Sequence, residues 1–113
     1  MAYFTNNDTT YKIKFDSRNI CNEIEVSIKV DNEKLGDHIV DSIKNTLTKK
    51  SFVEKRILAS DAYGRLGYFN SFFSCSYLYI LPRTSEVEYS NGKREHYVNI
   101  IYIDKRFRRL DSY

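Results

Sequence analysis

Glu23-Ile24-Glu25-Val26-Ser27-Ile28-Lys29-Val30 alternates polar and apolar side chains at every step, the period of a strand with one wet face. At Asp31-Asn32 the period changes. Leu35, Ile39, Ile43 and Leu47 recur at every fourth position, and Val40 widens the stripe they form. Asp31 or Asn32 can cap the new element, and Lys49-Lys50 complements the dipole at its end. A strand running directly into an amphipathic helix over 32–50 excludes both an all-β and an all-α chain. Gly36, in the first turn, costs about 1 kcal/mol relative to Ala, which the stripe can outweigh.

Upstream, Tyr11-Lys12-Ile13-Lys14-Phe15 alternates as well, and turn-rich residues 16–22 join it to the strand above as a hairpin. Residues 1–10 are polar and aperiodic, which reads as a loose N-terminal arm. Downstream, Phe52 to Ala59 forms a further strand, and residues 60–67 a loop with two glycines. Tyr68 to Leu81 is long, aromatic and β-prone, and Pro82 is expected to stop it. Glu86–Tyr89 and Arg94–Asp104 flank Asn91-Gly92, the pair favoured in two-residue hairpin loops. The order is β-β-α-β-β-β-β. The fold class is α+β, with one antiparallel sheet of about five to six strands and one main helix.

The chain's 113 residues suit one domain over 1–113, ending in a basic segment at 105–113. Its apolar share of 42% is that of a globular chain. No apolar run is long enough to span a bilayer, and the first residues carry no secretory pattern. Two cysteines, Cys21 and Cys75, cannot build a disulfide framework. A cytoplasmic protein is the expectation, in the host cytoplasm if the source is viral. Phe, Tyr, Met, Ile, Asn and Lys total 48 residues against 16 for Gly, Ala, Arg and Pro. That bias implies an AT-rich genome: a low-GC bacterium, its phages and plasmids, or a virus.

The late strands are apolar on both faces. Phe69, Phe73, Cys75, Tyr77, Tyr79 and Leu81 alternate with Phe72, Leu78 and Ile80, while Val98, Ile100 and Tyr102 alternate with Ile101 and Ile103. Both faces then need cover, and one helix covers only one. Either the chain folds over the second face, or a partner does. Phe69, Phe73, Tyr77 and Tyr79 are the candidate anchors for a protein partner or a second copy.

Chemistry finds little support. Cys21, His38, Cys75 and His96 lack the short spacings of a zinc site, so no metal and no cofactor is expected. A Cys75–His96 dyad needs adjacent strands. A two-residue loop at Asn91-Gly92 would set Glu88 against Glu95, with Glu86 on the same face, giving three clustered carboxylates. No phosphate-binding glycine motif occurs. Tyr63, Arg65 and Tyr68, in and beside the glycine loop, together with Lys105, are candidates for contact with nucleic acid. Net charge is only +3, yet Lys105-Arg106-Phe107-Arg108-Arg109 packs four cations into five residues. Arg106, Phe107, Arg108 and Arg109 are therefore candidates for binding an acidic partner.

The missing catalytic groups and two-sided aromatic strands point to a non-enzymatic protein-binding module. A phage or mobile-element inhibitor or regulator of a host nucleic-acid-processing machine, anti-CRISPR-like in its mode, fits size and codon bias. A nucleic-acid-binding protein using the basic end and its tyrosines is the alternative, followed by a virion assembly component.

Overall fold

Asn32 caps the helix where the period changes: its Oδ1 accepts the Leu35 amide at 2.8 Å, and Glu33 adds an acidic first turn. The structure, a computed structural model, describes residues 1–60 and 66–107; over 56–60 and 66–70 the description stops at the backbone. Its elements are β1 (Ala2–Asn6), β2 (Thr9–Phe15), β3 (Cys21–Val30), α1 (Glu33–Lys49), β4 (Val53–Ser60), β5 (Leu66–Ser74), β6 (Leu78–Glu88) and β7 (Arg94–Asp104). The seven described strands form one antiparallel sheet in the order β1-β2-β3-β7-β6-β5-β4. The α+β class stands as read from the sequence; the strand count and order differ slightly.

Four local differences have physical causes. Residues 1–10 are not a loose arm, because β1 pairs with β2 through a two-residue turn at Asn7-Asp8. Asn7 takes the left-handed conformation (φ 55) that asparagine tolerates and hairpin turns need. The stretch 68–81 is two strands, since the Cys75 amide donates to the Leu78 carbonyl at 3.0 Å and turns the chain back. Pro82 does not end a strand but sits within β6, opposite Ile100. β5 pairs with β6 only at Tyr79 and Ile80, so beyond that point β6 has an open side where a missing amide hydrogen is tolerated.

The last hairpin is the fourth. Only Gly92 has positive φ (84), and the Tyr89 amide donates to the Lys93 carbonyl at 2.8 Å. The loop is therefore the three-residue type, Ser90-Asn91-Gly92, rather than the two-residue one. One extra loop residue shifts the register, so Glu88 faces Arg94 and Val87 faces Glu95.

Side chains alternate between two apolar layers. On the helix face, Val30, Phe73, Ile80, Val98 and Ile100 pack with Val40 and Leu47 of α1. Gly36 allows the approach: a Cβ there would meet methyls of Thr84 and Val30 at 3.4 Å. On the far face, Phe72, Tyr79, Ile101 and Ile103 form a second cluster with Leu81. Phe72 meets Tyr79 edge-to-face at 5.4 Å.

Candidate functional site

The hairpin β1–β2 adds strands to the sheet that α1 does not cover. α1 packs on β6 and β7 and touches β3 only lightly. Asp37, Asp41 and Lys44 line a cleft of about 520 Å³ shared with β6, so the opposite flank of α1, carrying Leu35 and Ile39, lies on the β3 side. The register puts Phe4 opposite Tyr11, and Tyr11 opposite Val26. The neighbouring row runs Ala2, Ile13, Ile24. Phe4 is 57% exposed, Tyr11 39% and Leu35 42%. Ile13, Ile24 and Val26 are half-buried. The result is a shelf of aromatic and aliphatic side chains, and the helix-side positions of β1 and β2 carry no charge. From β1 to β3 it measures about 10 Å, since neighbouring strands lie about 4.8 Å apart.

The opposite face of the same strands is charged but balanced. Lys14 pairs with Glu23 at 2.8 Å, and Lys12 faces Glu25. Glu95 collects Lys29 at 3.6 Å, Lys93 at 3.9 Å, and a 2.5 Å hydrogen bond from the Tyr97 hydroxyl. The Tyr97 bond, above all, holds the Glu95 carboxyl below its ordinary range. The same bond, aided by burial, pushes the Tyr97 phenol up to about 12. Beside them, buried Asn99 accepts from Ser27 at 2.8 Å and donates to Ser85 at 2.5 Å.

The residues singled out from the sequence fall in different places. Phe73 and Tyr79 are 0% exposed and belong to the two core layers, so neither presents a surface to a partner. Tyr77, at the β5–β6 turn, is 71% exposed. Phe69 and Tyr68 lie in β5, and their side chains are outside the described residues. Tyr63, Arg65, Arg108 and Arg109 also lie outside the described residues. At the basic end, Lys105 sits 4.7 Å from the centre of the Tyr79 ring and helps cover the far face. Arg106 grips its own neighbour, with Nη2 2.7 Å from Asp104 Oδ2 and Nε 3.1 Å from both carboxyl oxygens. That grip holds Asp104 low and Arg106 high. Half-buried Phe107 lies beneath the Arg106 and Arg18 guanidiniums, at 5.4 and 6.0 Å.

The chemical arrangements weighed from the sequence do not assemble. Cys75 lies at the β5–β6 turn, near the Asp104 end of β7, whereas His96 lies eight positions away along that strand, about 27 Å. The three-carboxylate cluster is replaced by an ion pair: Arg94 reaches Glu86 at 3.3 Å and Glu88 at 3.8 Å, while Glu95 points to the other face. Among the described residues, no three metal-ligating side chains gather, and no helix is long and apolar enough to cross a membrane.

No protein-family model matches the chain, and no curated protein or solved structure is similar to it. The surface itself therefore carries the functional reading. Sequence reasoning missed the hairpin shelf by leaving residues 1–10 unstructured. The signal present was Asn7-Asp8, a turn pair between two β-prone stretches.

Proposed function

We propose that the protein is a small non-enzymatic binding module that docks a host or viral protein on the uncharged shelf formed by β1, β2 and the Leu35 flank of α1. One observation carries this reading: Phe4 and Tyr11 stand opposite one another on the helix-side face of the first hairpin, beyond the reach of α1, and both stay exposed. Contiguous exposed apolar surface marks binding sites, and aromatic residues are enriched at their centres. A shelf about 10 Å wide has the width of one helix. The broader role we propose is that of a phage or mobile-element inhibitor or regulator, acting in the host cytoplasm on a nucleic-acid-processing machine.

The nucleic-acid-binding alternative has less support. Lys14, Lys29 and Lys93 are matched by carboxylates, and Arg106 already holds Asp104. A phosphate would have to displace those partners.

Capture from a nuclease-treated lysate of a low-GC bacterium tests the proposal. The tagged chain should retain a discrete protein. Tyr11→Ser with Leu35→Ser should weaken retention roughly thirtyfold, the effect of losing about 2 kcal/mol of anchor contact. Capture that vanishes with nuclease treatment would favour nucleic acid, and large homo-oligomers would favour an assembly component.

A further inference from the structure

The edge of the hairpin, as distinct from its face, has a binding capacity of its own. The pairs Asn6–Thr9, Phe4–Tyr11 and Ala2–Ile13 share one parity in the β1–β2 ladder. A two-residue turn closes on a pair that exchanges both backbone hydrogen bonds. The Lys29 amide donates to the Asp8 carbonyl at 2.9 Å, which confirms that even positions of β2 bond to β3 and odd positions to β1. Phe4 and its alternates thus bond inward, while Tyr3 and Thr5 aim N–H and C=O outward from the sheet. An edge of this kind is a template for another strand.

Charge distinguishes the two edges of the sheet. β4 carries Glu54, Lys55 and Arg56 in succession, the charged edge that discourages pairing. β1, Ala2-Tyr3-Phe4-Thr5-Asn6, carries no charge, no proline and no bulge. Two copies of β1 can therefore meet without repulsion.

We propose that a second copy of this chain pairs antiparallel with β1 about a two-fold axis through Phe4. In that register Tyr3 of each copy exchanges both backbone hydrogen bonds with Thr5 of the other, and Phe4 faces its own symmetry mate. Phe4 pairs with Tyr11 within each copy, so the contact builds a four-ring row, Tyr11-Phe4-Phe4-Tyr11, across the axis. That row covers the strand's most exposed helix-side ring, and cross-strand aromatic pairs stabilise sheets. Lys12 then shares a row with Tyr3, Thr5 and Thr10, so no like charges oppose one another. The self-complementary patch is what a two-fold dimer requires.

Disulfide trapping tests the register. With Cys21→Ser and Cys75→Ala as background, Phe4→Cys should oxidise to a covalent dimer, because directly opposed residues of a non-hydrogen-bonded pair stand about 4.5 Å apart. Thr5→Cys should not, because Thr5 faces Tyr3. In the wild type, light scattering should give twice the chain mass, shifting to the monomer mass in Thr5→Pro. That proline removes only an outward amide, so the circular dichroism should persist. Phe4→Lys, which sets two cations on the axis, provides a second route to the monomer should the proline disturb the hairpin. A monomeric wild type at all accessible concentrations, or equal trapping at positions 4 and 5, overturns the proposal. Neither result bears on whether the shelf binds another protein.

Discussion

Phe4 lies directly across the first hairpin from Tyr11, and both rings stay exposed although seven strands and a helix stand beside them. Aromatic rings left open at an edge contribute little to folding. At concentrations where the chain is monomeric, Phe4→Ser with Tyr11→Ser should lower stability by less than about 1 kcal/mol, as surface substitutions do. Phe73→Ala, by contrast, should cost about 3–5 kcal/mol, because it empties a buried site in the helix-side core. Urea unfolding of the two variants measures the difference. A large loss from the exposed pair would mean that those rings serve the core.

The last hairpin, β6–β7, makes a sharper test of backbone conformation. Gly92 has φ 84, and a Cβ there would meet nothing within 4 Å. Gly92→Val should cost about 1–2 kcal/mol through backbone strain alone. Gly92→Asn should cost clearly less, because asparagine accepts the left-handed region. Equal melting temperatures for the two variants would contradict the left-handed conformation at Gly92 in the three-residue loop.

That loop also shows how far the sequence could be read. The change of period at Asp31-Asn32 was legible, because a strand and a helix place apolar residues at different spacings. That the late strands are apolar on both faces was legible too, but not which residues share a face: alternation across 68–81 sets Tyr79 with Phe73, and the turn at Cys75–Leu78 puts it with Phe72, Ile101 and Ile103 instead. Asn91-Gly92 marked a turn but not its length, and one residue of loop length exchanged Glu95 for Arg94 opposite Glu88. The anchors proposed at Phe73 and Tyr79 became core, one in each layer, because alternation shows neither where a strand turns back nor what covers its faces. The shelf was hidden for the opposite reason: short, polar Thr5-Asn6-Asn7-Asp8-Thr9 has no apolar period, and its structure comes from turn chemistry.

Asn99 should report on the polar seam between the layers. It is buried and bridges Ser27 and Ser85 across three strands. Asn99→Ala leaves both hydroxyls without that partner and should cost about 1–3 kcal/mol. Adding Ser27→Ala and Ser85→Ala should recover part of the loss, chiefly through Ser27, whose half-buried hydroxyl is otherwise left unsatisfied, whereas exposed Ser85 can bond to water. A further full loss in the triple variant would argue against the bridge.

The Glu95–Tyr97 pair ties stability to pH in two windows. Tyr97 titrates at about 12, above its ordinary 10, so its contribution is complete below pH 10 and disappears as pH rises through 12. Glu95 is held below its ordinary 4.5, so its contribution is complete above 4.5 and disappears as pH falls through the lowered value. Tyr97→Phe should remove the component near pH 12 from the tyrosinate absorbance curve and move the Glu95 titration upward. An unchanged alkaline curve would show that the hydroxyl is not bound to the carboxylate.

The claim that the shelf is a docking surface is tested most directly by placing a photo-crosslinking side chain at position 11. A control at Asn45, exposed on the side of α1 away from the sheet, reports incidental contact. Irradiation in the lysate should join position 11 to one discrete protein other than the chain itself, with position 45 left unmodified. Equal labelling from both positions, or adducts with nucleic acid alone, would contradict the account.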